Sequence, residues 1–332
     1  MISESDIRLW FQRITEKNIL LIGDFMIDKY IYGKVERISP EAPVPVVQVS
    51  KSEYRPGGAG NVLMNLHALG ARVFPISMLG ADEDGKALFH IFESLQTNCS
   101  GLFLENDIKT TSKTRVVAQM HQMLRIDEEE QNQFTEAHRQ KILLQVRKCL
   151  KENKINALIF EDYDKGLLSP DLIEEIVAEA NALDIPTFVD PKKKNFSAYK
   201  GVTVFKPNLK ELKEGMNIGI QNADEVPAAD ALLREALHHR YTLCTLSEAG
   251  IYFSTPQTHY FRKSEVRKLA DVSGAGDSVI ASMACFLISG ADPLQSAEIA
   301  NLAAGIVCES PGVIPIDKER LLQESLRYFL SR

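Results

Sequence analysis

The sequence predicts an α/β fold, with a mostly parallel sheet covered by helices on both faces and a small β lid. Three observations predict it. Strand-like and helix-like segments alternate along most of the 332 residues. The strands read as continuous apolar runs, the mark of parallel strands buried on both faces. Two β-like stretches, about 29–54 and 100–127, interrupt the alternation. Each is too short to stand as a domain, so together they form a lid on a single domain spanning 1–332.

The elements follow in order. Ile7, Trp10, Phe11 and Ile14 recur at helical spacing between Ser3 and Lys17, and Ile19–Ile22 is a buried strand ending at Gly23-Asp24. From Tyr30 to Val49, Pro40, Pro43 and Pro45 forbid a helix, while Val44, Val46, Val47 and Val49 favour strands. Gly57-Gly58-Ala59-Gly60 breaks the chain before a helix over Asn61–Leu69, closed by Gly70. A strand at Val73–Leu79, a helix over Asp84–Leu95, β-like segments over Thr111–Ile126 and a long helix from Thr135 to about Glu152 come next. The pattern then becomes regular. Strands at Ala157–Phe160, Pro186–Val189, Val202–Phe205, Thr242–Leu246 and Ile251–Ser254 are joined by helices over Asp171–Leu183 and from Asn208 and Asp224. Three helices close the chain, beginning near Ala275, Asp292 and Asp317.

Composition narrows the function. Hydrophobic residues at 45% and charged residues at 25% describe a soluble globular chain rather than a disordered one. A net charge of −7 argues against nonspecific binding to nucleic acid. Five scattered cysteines (Cys99, Cys149, Cys244, Cys285, Cys308) without a CxxC, and histidines without HExxH, give no transition-metal site and suit a reducing compartment. The N-terminus is not a secretory signal, and the least polar window, Val279–Ala291, is too short for a bilayer. The expectation is a cytoplasmic protein without a membrane partner.

Phosphate chemistry is the strongest motif signal. Gly80-Ala81-Asp82-Glu83-Asp84-Gly85-Lys86-Ala87 imitates GxxxxGK, but Ala87 lacks the hydroxyl for magnesium and three acids occupy the place of the phosphates, so it reads as a loop opening a helix. No GxGxxG is complete. Asp271-Val272-Ser273-Gly274-Ala275-Gly276-Asp277 precedes an apolar helix. Its small residues let the amides of Gly274, Ala275 and Gly276 converge on an anion at a helix N-terminus. Asp277 in the first turn can then take the proton of an attacking hydroxyl. A plain helix start with a favourable acid fits those seven residues equally well.

The chain resembles the ribokinase-like (PfkB) carbohydrate kinases. DVSGAGD matches their C-terminal hallmark, with Val272 in place of the usual Thr; Gly57-Gly58-Ala59-Gly60-Asn61 and Asn208-Leu209-Lys210-Glu211 match two others, in the same order. A narrower likeness is to the kinase domain of the ADP-heptose synthesis proteins. It rests on GDFMIDKY from Gly23, RISPEAPVPV from Arg37, RPGG from Arg55, DYDKG from Asp162, Asp190-Pro191-Lys192 and SEAG from Ser247. Those kinases transfer phosphate from ATP to the anomeric hydroxyl of D-glycero-β-D-manno-heptose 7-phosphate. Many relatives carry a nucleotidyltransferase with HxGH; with no HxGH here, the expectation is a stand-alone kinase.

The resemblance implies a ribokinase-like three-layer fold and a magnesium-dependent sugar-phosphate kinase. Asp277 would be the base, and Gly274, Ala275 and Gly276 the anion hole. Asn208, Leu209, Lys210, Glu211, Ser247, Gly250 and Asn301 would meet ATP; the Asn208–Glu211 spacing is also that of a capping box. Asp24, Asp28, Gly57, Gly58, Asn61, Asp162 and Lys165 would meet the sugar. Lys165, Lys192, Arg55, Arg115 and Arg125 are the cations available to its distal phosphate. Glu211 would serve Mg2+, and Asp271 a monovalent cation. The lid would close over the sugar and pair two subunits into a homodimer. The rival readings are a kinase of this fold for ribose, fructose or a keto-deoxy acid, and a non-catalytic sugar or nucleotide sensor.

Overall fold

A computed structural model describes residues 2–331 apart from 120, 131, 266, 268 and 269. Its elements are α1 (Glu4–Arg13), β1 (Asn18–Gly23), β2 (Phe25–Ile38), β3 (Pro45–Gly58), α2 (Ala59–Leu69), β4 (Arg72–Gly80), α3 (Glu83–Ser94), β5 (Leu102–Glu105), β6 (Thr111–Ala118) and β7 (His121–Glu128). There follow α4 (Glu136–Glu152), β8 (Ala157–Glu161), α5 (Pro170–Ala182), β9 (Thr187–Asp190), β10 (Val204–Phe205), α6 (Leu209–Met216) and α7 (Val226–Leu237). The last are β11 (Tyr241–Thr245), β12 (Ile251–Ser254), β13 (His259–Arg262), α8 (Ala275–Ile288), α9 (Pro293–Val307) and α10 (Lys318–Leu330).

Nine strands form the main sheet in the order β13-β12-β11-β10-β9-β8-β1-β4-β5. The pairings from β11 to β5 are parallel, and β12 and β13 add an antiparallel edge. Side chains along β1 point alternately to the two faces. Ile19 and Leu21 pack with α1, α2, α8, α9 and α10, while Leu20 and Ile22 pack with α4, α5 and α7. This is the three-layer α/β/α arrangement that the apolar runs call for.

A second sheet, in the order β3-β2-β6-β7, stands apart from the first. β2 and β3 are 14 residues each and leave the main sheet as one antiparallel ribbon, with register shifts at Tyr32/Gly33 and Val35/Arg37. The proline-rich RISPEAPVPV string makes the exposed hairpin tip, where the Ser39 N–H donates to the Val44 carbonyl at 2.9 Å. The expected boundary at 100 needs correction. β5 pairs in parallel with β4 at the edge of the main sheet, burying Leu102, and only from Thr111 does the chain enter the small sheet. β13 is also an addition. It is a four-residue exposed edge, too short for its period to stand out. Asp82 caps α3 by accepting the Gly85 N–H at 2.8 Å, so the GxxxxGK imitation is a helix start.

Candidate active site

The parallel strands end together, and their C-terminal ends supply the site, the usual place for ligands in an α/β sheet. Gly23 closes β1, Glu161 β8 and Asp190 β9; Lys206 follows β10, and Ser247 lies just beyond β11. A cleft of about 990 Å³ opens over these ends. Its lining includes Gly274, Ala275, Gly276 and Asp277 on one side, Asn208, Leu209, Lys210 and Glu211 on another, and Ser247, Gly250 and Asn301 at the far end. All eleven residues expected at the catalytic and nucleotide positions therefore share one cavity.

Gly274 is the N-cap of α8, with φ +79°, a left-handed conformation that glycine adopts without strain. A side chain there would also begin 2.6 Å from the Asn61 amide nitrogen. The Ala275 N–H is partly spent on the Val272 carbonyl at 3.3 Å, so the grip on an anion falls chiefly to its neighbours in the first turn. The fully buried Lys206 ammonium lies 3.4 Å from where a Gly276 side chain would start, adding positive charge behind those amides. Burial opposes that charge, but Asp190 at 2.7 Å, with Glu211 nearby, holds the Lys206 pKa above its ordinary value.

Asp277 is clamped at both oxygens. Asn61 Nδ2 donates to Oδ2 at 2.6 Å, and the Tyr163 hydroxyl donates to Oδ1 at 3.2 Å. Burial raises its pKa to about 6, with Asp190 also raising it and the Asn61 bond opposing. A carboxyl with that value is ionised at neutral pH yet basic enough to take a proton.

On the other side of Asp277 lie residues expected to meet the sugar. Asp24 accepts the N–H groups of Tyr163 (2.8 Å) and Lys165 (3.1 Å), and burial, reinforced by Asp162, lifts its pKa to about 7. Asp28 pairs with Arg115 across the small sheet and faces Gly57. Gly58 leads into α2, which carries Asn61. Two members of this group have other work. Asp162 accepts from the Asp164 N–H, Asn195 Nδ2 and the Tyr199 hydroxyl, so it braces its loop rather than facing the cleft. The Lys165 ammonium bonds Glu129 at 2.8 Å, tying that loop to the end of β7.

The carboxylates expected to hold metal are largely engaged as well. Glu211 accepts the Asn208 N–H at 2.8 Å in a closed capping box and pairs with Lys192. Asp271 accepts the N–H groups of Ser273 (2.9 Å) and Gly312 (3.0 Å). Asn301 donates to the Lys263 carbonyl at 3.0 Å. Sequence reasoning missed a carboxylate cluster better suited to a cation. Glu161, Asp190 and Asp277 each offer an oxygen within 4.8 Å of the others, all buried. Both Glu161 oxygens and Asp190 Oδ1 have no hydrogen-bond partner. Burial, then Asp190 and Asp277, hold the Glu161 pKa well above the usual carboxylate range. Orphaned, buried carboxylate oxygens suit a hard divalent cation. The available signal was positional: an acid at the C-terminal end of each of two adjacent parallel strands. Tyr163 was missed too. It was quoted within DYDKG, but nothing in the string says its hydroxyl reaches Asp277.

Residues 16–319 match the sequence model of the pfkB family carbohydrate kinases. The chain belongs to that family. It is 41% identical over 291 residues to the bifunctional protein HldE of Aliarcobacter butzleri, covering 87% of this chain and 60% of that protein. It is 38% identical over 303 residues to HldE of Pelobacter propionicus, covering 91% and 62%. The chain thus spans about three fifths of the curated relatives it matches. A structure of phosphofructokinase-2 from Escherichia coli in complex with potassium superposes with a TM-score of 0.78 at 18% identity, covering 95% of this chain and 99% of that one. An Arabidopsis thaliana ribokinase complexed with ribose and ATP gives 0.69 at 14%, covering 92% and 99%. These likenesses establish the ribokinase-like fold. As a pfkB carbohydrate kinase, the protein is a phosphotransferase acting on a sugar hydroxyl. No helix among the described residues is long and apolar enough to cross a membrane.

Proposed function

We propose that this kinase transfers the γ-phosphoryl group of ATP to O1 of D-glycero-β-D-manno-heptose 7-phosphate, giving the 1,7-bisphosphate. The observation that carries the chemistry is the doubly clamped Asp277, standing between the phosphate-gripping turn of α8 and the Asp24, Asp28 and Asn61 side. The sugar assignment is supported by the RISPEAPVPV and DYDKG strings and by the likeness to the HldE proteins.

In this reading the triphosphate lies along the cleft with its terminal group at the first turn of α8. Asp277 accepts the proton of the attacking hydroxyl, while Asn61 and Tyr163 fix which oxygen faces it. Amides of the turn and the Lys206 ammonium stabilise charge on the transferred group, where positioning and electrostatics supply most of the rate. Glu161 and Asp190 are the residues that would hold Mg2+, with Glu211 of α6 lining the same cleft. The ion would neutralise charge on the ATP phosphates. Asp271, beside the same turn, is the residue given to a monovalent cation.

The small sheet acts as the lid, shielding the transferring group from water. Its β7 strand is exposed throughout, with Met123, Leu124 and Ile126 bare, and Ile38, Val44, Val49 and Tyr54 are bare on β2, β3 and their tip. An apolar surface of this kind suits a second copy of the chain, so the protein works as a homodimer in the cytoplasm. The test offers ATP with heptose 7-phosphate, fructose 6-phosphate, ribose or a keto-deoxy acid in a coupled assay. The heptose phosphate should give the highest kcat/KM, and faster turnover of any other overturns the assignment.

A further inference from the structure

Ser264, Glu265, Arg267 and Val272, which lie between β13 and α8, line the cleft, and described residues of that stretch are fastened to α9 and α10. Asn301 Nδ2 holds the Lys263 carbonyl at 3.0 Å, and the N–H groups of Ala270 and Asp271 reach the Cys308 carbonyl at 2.8 and 3.2 Å. Between these stitches stands Arg267, only 8% exposed, with its guanidinium shared among Glu309 (2.6 Å), Glu265 (3.2 Å) and Glu324. Arg320 supplies a second cation to Glu309 (2.7 Å) and Glu324 (3.0 Å). A partly buried ionic cluster is a poor source of net stability, and its best-attested use is to fix one arrangement among several.

What it fixes here is visible at Gly305. A side chain on Gly305 would begin 2.5 Å from Arg267 Nε and 3.0 Å from Cδ, so the arginine stem crosses α9 where glycine leaves room. Gly305 and Arg267 both border the cleft, among Ile251, Val279, Ala304 and Cys308. The side chains of those four residues make an apolar patch, in contrast to the lysines and acids elsewhere along the cleft. A planar nucleobase matches it, and a triphosphate matches the other end.

We infer that Arg267 is a positioning residue for the nucleotide, setting the width of the slot that takes the base by packing its stem against Gly305 of α9. The inference rests on the reading that ATP occupies this cleft. Its effect is on nucleotide binding and selectivity, because the Arg267 contacts lie away from Asp277 and from the sugar side.

The experiment compares wild type, R267A, R267K, G305A and the R267A/G305A double variant. Calorimetry with ATP on the wild type comes first; no binding there refutes the ATP reading itself. With binding established, R267A should raise the KM for ATP about tenfold, leave the KM for the sugar phosphate unchanged and narrow the preference for ATP over GTP. R267K should recover part of the loss, because a point charge replaces a fork that holds several carboxylates. G305A should imitate R267A by pushing the stem aside, and the double variant should be no worse than R267A alone. An unchanged KM for ATP in R267A with a lowered Tm would make the cluster merely structural and overturn the inference; additive losses in the double variant would do the same. If R267A fails to fold despite Arg320, R267K and G305A carry the same test, and two unchanged KM values overturn it.

Discussion

Replacing Asp277 by Asn separates the catalytic role of this residue from its cost to the fold. The amide keeps the size of the carboxyl but accepts no proton, so kcat should fall by about 10² to 10⁴, the usual worth of a positioned general base. Stability should move the other way. Burial lifts the Asp277 pKa from 3.8 to about 6, so the folded state holds its proton more tightly than the unfolded chain does. Stability tied to this group is fully present below pH 3.8 and is lost as pH rises through about 6. At about 1.4 kcal/mol per pH unit, wild type loses about 2.5 kcal/mol between pH 4 and 8 that the variant keeps. Urea unfolding of both proteins at pH 4, 6 and 8 measures the difference, and the pH profile of wild-type kcat/KM should fall below pH 6. A variant with a tenth or more of the wild-type rate, or a stability difference that ignores pH, would refute the assignment.

Three further outcomes follow from the same geometry. Tyr163→Phe removes one donor from Asp277, worth about 1.5–3 kcal/mol for a bond to a charged group, so kcat should drop about tenfold or more with the KM for ATP unmoved. Glu161→Gln preserves shape and removes a buried acid with no hydrogen-bond partner at either oxygen; Tm should hold or rise while the Mg2+ concentration for half-maximal rate climbs about tenfold, as metal ligand changes commonly produce. A Leu124→Asp, Ile126→Asp double change alters only exposed side chains; sedimentation should report a monomer with an intact fold, and a persisting dimer removes this surface from the interface.

The main sheet was legible because its strands are uninterrupted apolar runs and its helices carry clear boundaries, a stop at Gly70 and a start at Asp292. Glycine and proline punctuation marked the β2–β3 ribbon equally well. β5 was misassigned because a four-residue strand has no period of its own, and its partner β4 lies over twenty residues earlier. In the site, the Gly274–Asp277 turn and the Asn208–Glu211 helix start were readable because each is contiguous. Glu161, Tyr163 and Lys206 were not, since their meaning lies in side chains from the ends of β8 and β10 meeting others in space. The same separation hid the bracing bonds of Asp162, whose partners Asn195 and Tyr199 come more than thirty residues later. The Asn208–Glu211 spacing left a cap and a ligand site equally open, and the structure contains the cap.

The β2–β3 ribbon stays paired, without an intervening loop, from its root, where Asp28 sits, to its tip near Pro40. Fourteen extended residues span about 45 Å, so the pair behaves as a sprung beam rather than a door. Its compliance is concentrated at the two irregular steps near Gly33 and Glu36. Any load on the free end would therefore reach the root as torque at Asp28, the carboxylate proposed to meet the sugar.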